Sequence, residues 1–243
     1  MTTLSSRSQD RFSTTRWSVV MRMAASGAGD AHGALAELAQ RYWYPTYAYL
    51  RCCGHSPAIA EEIARSFLQH LLAEFHDADR AAPARGRFRR FLLDELSKFL
   101  AGDWRQSVPG HPALEVPAEL ELRHRRDNAG VSSPEVAYQR SFALEVLARA
   151  LRRLHAEAEQ TGHQAMFGAL RAYLTDDPVA GEYQVIAAQL QMPPLALVVA
   201  LKRLRQRLRE LVGQELSDTV TTADDLLGEQ AELLRILRGP EAA

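Results

Sequence analysis

The sequence predicts an all-α protein built from two helical domains. Three observations predict it. Ala, Leu, Arg, Glu and Gln dominate the composition, and apolar residues recur at helical spacing over most of the chain. Strand signals are scarce. A run of breakers, Pro109, Gly110, Pro112 and Pro117 followed by Gly130, divides the helical pattern into two blocks and marks a linker.

Each element follows from its own pattern. Leu35, Leu38, Tyr42, Trp43 and Tyr47 predict a helix over 34–50, and Ile59, Ile63, Phe67, Leu71 and Leu72 a second over 57–75. Ser56 before Pro57 is a helix start: a capping hydroxyl, then proline in the first turn. A third helix, over 87–100, turns Phe88, Phe91, Leu92, Leu96, Phe99 and Leu100 inward. A short helix over 118–126 interrupts the linker. Ser133-Pro134-Glu135 opens the second block, with helices over 134–159, 163–174, 183–190 and 195–212. The acidic tail from Gly213 has leucines at 226, 227, 233, 234 and 237, enough for one last helix. The organisation is then a Ser/Thr-rich lead with Arg16 and Trp17 (1–28), a first helical domain (29–106), a linker (107–133), a second helical domain (134–212) and an acidic extension (213–243).

Composition bounds the function. The 243 residues are 47% apolar and 24% charged, an ordinary soluble mixture. Lys and Arg number 29 against 30 Asp and Glu, a net charge of −1, which excludes a uniformly basic nucleic-acid binder. No apolar run reaches the ~18–20 residues that span a bilayer, so no membrane insertion is expected. The first residues lack the apolar core of a secretory signal. Cys52 and Cys53 are adjacent and make no disulfide framework. The expected compartment is the cytosol.

The charge is nevertheless uneven. The segment 80–105 holds Arg80, Arg85, Arg87, Arg89, Arg90, Lys98 and Arg105 against Asp94, Glu95 and Asp103. The segment 202–209 holds Lys202, Arg203, Arg205, Arg207 and Arg209 and no acid. Each is either a solvated helix face or half of a grip on a polyanion, where every neutralised phosphate releases counterions. The second run lies on a suggestive pattern. A short helix with Ile186, Ala187 and Leu190 inward breaks at Gln191-Met192-Pro193. A longer helix follows, with Leu197, Leu201, Leu204 and Leu208 on one face. That is a helix-turn-helix or an ordinary αα-corner. In the first run, Phe88, Phe91 and Phe99 read as core, while Trp104 beside Arg105 is the better candidate for stacking on an unpaired base.

Together these residues resemble a known family, the extracytoplasmic-function (ECF) sigma factors of the sigma-70 class of bacterial RNA polymerase subunits. The resemblance rests on T-R-W-S at 15–18, R-Y-W-Y-P-x-Y-A-Y-L-R at 41–51 and G-H-x-P at 54–57, with F-x-x-x-L-L at 67–72 and R-G-R-F-R-x-F-L-L at 85–93. A weaker match covers 183–192 and 203–205. It implies that 29–106 is a region 2-like bundle that docks on core polymerase through Glu61, Glu62, Arg65 and Phe67. Arg85, Arg87, Arg89, Arg90, Lys98, Trp104 and Arg105 would engage the −10 element there. It implies that 134–212 is a region 4-like domain reading the −35 element, with Lys202, Arg203 and Arg205 on DNA. The implied partners are core polymerase and promoter DNA, with an anti-sigma factor or a Ser/Thr kinase for control. No catalytic residue, cofactor or metal is expected, because the polymerase supplies the covalent chemistry. Cys52-Cys53 near His55 lacks the second pair that a tetrahedral zinc site needs. The alternative is a sigma-like or helix-turn-helix protein that regulates or sequesters without initiating.

The chain departs from the family pattern in two places. After G-H-x-P the usual dense acidic run is reduced to Glu61 and Glu62, with Arg65 following. If docking needs acid, a phosphate on Ser66, or second on Ser56, would restore ~1.5–2 negative charges. In the reading helix, Pro193-Pro194-Leu195-Ala196-Leu197-Val198-Val199 is apolar where base edges would be met. The acidic extension is either a solvated terminal helix or a cover over a basic face.

Overall fold

The computed structural model describes residues 30–74, 87–102, 118–175, 179 and 181–238. They are mostly helical, with no strand among them. The α-helices are α1 (Asp30–Cys52), α2 (Pro57–Glu74), α3 (Phe88–Ala101), α4 (Ala118–Asp127), α5 (Pro134–Gln160), α6 (Gln164–Leu170), α7 (Glu182–Gln189), α8 (Pro194–Ser217) and α9 (Ala223–Arg238), with a 3-10 turn at Arg171–Tyr173. Two starts form as their residues dictate. The Ser56 hydroxyl accepts from the Ile59 amide at 3.4 Å, and the Ser133 hydroxyl from the Val136 amide at 3.4 Å.

The chain divides into two compact units, 1–145 with 216–243, and 146–215. These limits differ from the boundaries read in the sequence. The reason is local: nothing breaks the helical pattern between Pro134 and Gln160, so α5 is one helix of 27 residues. Its first half supplies Ala137, Tyr138 and Phe142 to the core of the first unit.

That core is aromatic. Tyr42 on α1 meets Phe88 edge-on at 4.9 Å and stacks on Phe142 at 5.0 Å. Phe67 of α2 packs against Phe99 of α3 at 5.5 Å. Such ring pairs add about 0.5–1.5 kcal/mol beyond their buried area. The stretch 118–133 is not a bare tether. On α4, Glu121 accepts from Arg51 at 2.9 and 3.0 Å and from the Tyr47 hydroxyl. Asp127, buried, accepts from the Tyr44 hydroxyl at 3.0 Å and from Arg123 at 3.2 Å.

This network is acid-sensitive. The Arg51 guanidinium and the Tyr47 hydroxyl hold the Glu121 carboxyl below the usual carboxylate range. A depressed folded-state pKa stabilises the fold at all pH above the unfolded value, about 4.3. That contribution is lost as pH falls through the folded value. Glu121→Gln is therefore expected to lower the melting temperature at pH 7, and the gap from wild type should narrow steadily as the pH is taken below about 4.3. Melting curves over that pH range check this; a gap independent of pH would refute it.

The second unit packs the end of α5, α6, α7 and α8 around Leu154, Phe167, Leu170, Ile186, Leu197 and Leu201. Glu215, 7% exposed, accepts from Arg149 at 3.1 Å and Arg153 at 3.0 Å.

Candidate nucleic-acid interface

In the second unit, α7 and α8 bend by 96° at the four-residue break between them. The turn is made possible by Gln191, which adopts a left-handed conformation at φ 52°, and by the Met192 amide, which donates to Ala187 O at 2.9 Å. Ala187 is 2% exposed, as a small residue must be where two helices cross closely. A short helix, a tight turn and a second helix near a right angle are the geometry that a helix-turn-helix shares with an ordinary αα-corner.

The cations of α8 divide by role. Lys202 and Arg203 are exposed. Arg205, a sequence candidate for DNA, instead donates from Nε and Nη2 to Tyr173 O at 3.0 and 2.7 Å and closes the 3-10 turn. Arg207 pairs with Glu157 at 2.7 Å and Glu210 at 3.0 Å. Both partners are held below the usual carboxylate range, chiefly by that guanidinium. The apolar start of α8 is open to solvent: Leu195 is 76% exposed, and Val198 and Val199 are exposed beside it.

In the first unit the basic motif begins α3. Arg90 is exposed. Lys98 extends into solvent and pairs with Glu95 of its own helix at 2.7 Å. Arg85, Trp104 and Arg105 lie outside the described residues, as does the T-R-W-S motif. Arg87 and Arg89 are not open. Glu229 Oε1 on α9 lies 3.4 Å from Arg87 Nε and 3.2 Å from Arg89 Nη2, and Asp225 is 3.8 Å from Arg87 Nε. Glu232 is held below the usual carboxylate range first by Arg235 on its own helix and then by Arg89 and Arg87. Sequence reasoning left open what the acidic extension covers. A signal was present: Asp225, Glu229 and Glu232 fall at i, i+4 and i+7, one face of a helix.

The docking candidates on α2 are placed unevenly. Phe67 is 1% exposed and belongs to the core, so its side chain is no contact surface in this state. Glu61 and Glu62 are half-buried, and Arg65, exposed, pairs with Glu61 one turn away. The acid on this face is thus partly neutralised from within. Ser66 is half-buried and Ser56 is exposed but engaged as the α2 cap. Cys52 and Cys53 are free thiols, and burial pushes both above their ordinary range. Among the described residues no His, Cys, Asp and Glu cluster could hold a metal ion, and no single helix is long and apolar enough to cross a membrane.

No protein-family model, curated protein or solved structure matches the chain.

Proposed function

We propose that this protein is a promoter-recognition subunit of the ECF sigma type, which brings bacterial RNA polymerase core to a small set of promoters. The observation that carries the reading is the near-right-angle turn from α7 into α8, with Lys202 and Arg203 exposed on α8. The sequence resemblance supports it. In this reading α8 lies in the major groove of the −35 element. Lys202 and Arg203 hold phosphates and set register, and these contacts carry no sequence information themselves. The apolar start of α8 offers no hydrogen-bonding edge to bases, so discrimination there rests on thymine methyls and on groove shape.

The −10 element falls to the first unit. Arg90, Lys98 and the arginines at the start of α3 track the backbone of the displaced strand. An extruded base costs a few kcal/mol of unstacking, repaid by contacts in the opened state. The region 2-like and region 4-like assignments, the cytoplasmic location, and control by an anti-sigma factor or a kinase acting on Ser66 belong to the same proposal. With only Glu61 and Glu62 in the first turns of the docking helix, and Glu61 tied to Arg65, affinity for core is expected to be modest.

Run-off transcription with purified core polymerase tests the reading. The expected result is transcripts that start at discrete sites only when the protein is added. Capture of core without any transcript would favour the non-initiating regulator, and failure to co-migrate with core at all would overturn both.

A further inference from the structure

The acidic end of the chain occupies the basic motif that the proposed function needs. The segment after α8 runs against the start of α3: the Phe88 amide donates to Thr219 O at 3.0 Å, and Arg87 forms an isolated antiparallel bridge with Val220. Val220 is fully buried and Leu233 is 4% exposed, so the segment is seated rather than solvated. Glu229 is 1% exposed, although carboxylates are almost never buried unless paired. Its pairing is with Arg87 and Arg89. Gly228 completes the fit, because a Cβ there would collide with the Arg87 guanidinium.

The contact is also incomplete. Both arginines share one oxygen, Oε1, at 3.4 and 3.2 Å. Strong charge-assisted pairs are bidentate and close to about 2.7–2.9 Å. Arg89 Nε is buried and finds no acceptor among the described residues. A phosphodiester has two equivalent anionic oxygens, one for each arginine, where Glu229 presents a single oxygen to both. Arg89 is meanwhile kept in place from the other side, with its guanidinium 5.5 Å over the Phe142 ring.

From this geometry we infer that α9 is a built-in competitor for nucleic acid at Arg87 and Arg89. The carboxylate of Glu229 stands where a phosphate would sit, and the two arginines grip a strand only after α9 lifts away. The inference rests on the nucleic-acid reading of the α3 motif. Binding through these residues is reduced by the fraction of molecules in the open state.

The test is fluorescence anisotropy of a labelled, mixed-sequence single-stranded 20-mer with the full chain at fixed salt. Glu229→Gln keeps the shape and removes the charge; the expected result is a gain in affinity of at least about tenfold. Gly228→Ala displaces only the Arg87 guanidinium and is expected to give a smaller gain, which guards against a folding defect in the first variant. Adding Arg87→Ala and Arg89→Ala to Glu229→Gln should erase the gain. Unchanged affinity in both single variants, or a gain that survives loss of the arginines, overturns the competitor. If affinity is unchanged but the arginine substitutions weaken wild-type binding, the α3 reading stands without it. If no variant binds the strand and the arginines make no difference, both fall together.

Discussion

Phe142→Ala is expected to destabilise the first unit by about 3–5 kcal/mol, the usual cost of emptying an aromatic from a packed core. The side chain is 1% exposed. It stacks on Tyr42 at an interplanar angle of 14°, and its face supports the Arg89 guanidinium. Few neighbours can move into the space, because Tyr42 is itself pinned edge-on by Phe88. A loss of that size is a large part of the about 5–15 kcal/mol that holds an ordinary domain together. Urea unfolding followed by tryptophan fluorescence checks it. Trp43 on α1, stacked on Tyr47 at 5.6 Å, is a reporter within the first unit. Phe142→Leu keeps most of the volume and should cost less. A loss below about 1 kcal/mol for the alanine variant would show that the cluster is not packed as described.

The same cluster shows what the sequence could reveal. Phe88, Leu92, Leu96 and Phe99 announce a helix because the inward face repeats every three or four residues. Ser56-Pro57 and Ser133-Pro134 announce helix starts because one residue supplies the capping oxygen and the next cannot donate. These signals are local, and both starts form as expected. Where the long helices divide between units is not a local property. Pro134–Gln160 is periodic from end to end, so nothing in it marks position 145.

The candidate site was legible only in part, for a related reason. Lys202, Arg203 and Arg205 look alike in a row of letters. Arg205 is spent on a carbonyl 32 residues away, and no spacing encodes that reach. Arg89 and Glu229 are 140 residues apart. The sequence shows the acidic stripe on α9 and the basic stripe on α3, and only the fold brings one onto the other. A charge cluster in a sequence is therefore a statement about potential partners, and the fold decides whether the partner is internal.

That distinction gives the second large effect. Lys202→Ala with Arg203→Ala is expected to weaken binding to duplex promoter DNA about 30-fold at 0.15 M salt. The arithmetic is that of counterion release: each lost phosphate contact removes about 0.9 from the slope of log affinity against log salt, or roughly 1 kcal/mol at that ionic strength. The double variant should thus flatten the slope by about 1.8 and leave thermal stability unchanged, since both side chains are exposed. Arg205→Ala should do the opposite. It orphans Tyr173 O, and so lowers the melting temperature while leaving the slope as it was. Equilibrium titrations at three or four salt concentrations, beside melting curves, separate the two. Phosphate neutralisation alone makes affinity follow ionic strength, whereas a hydrogen bond that closes a turn is felt by the fold. An unchanged slope in the double variant would remove α8 as a DNA clamp, and a flattened slope in Arg205→Ala would return that residue to the interface.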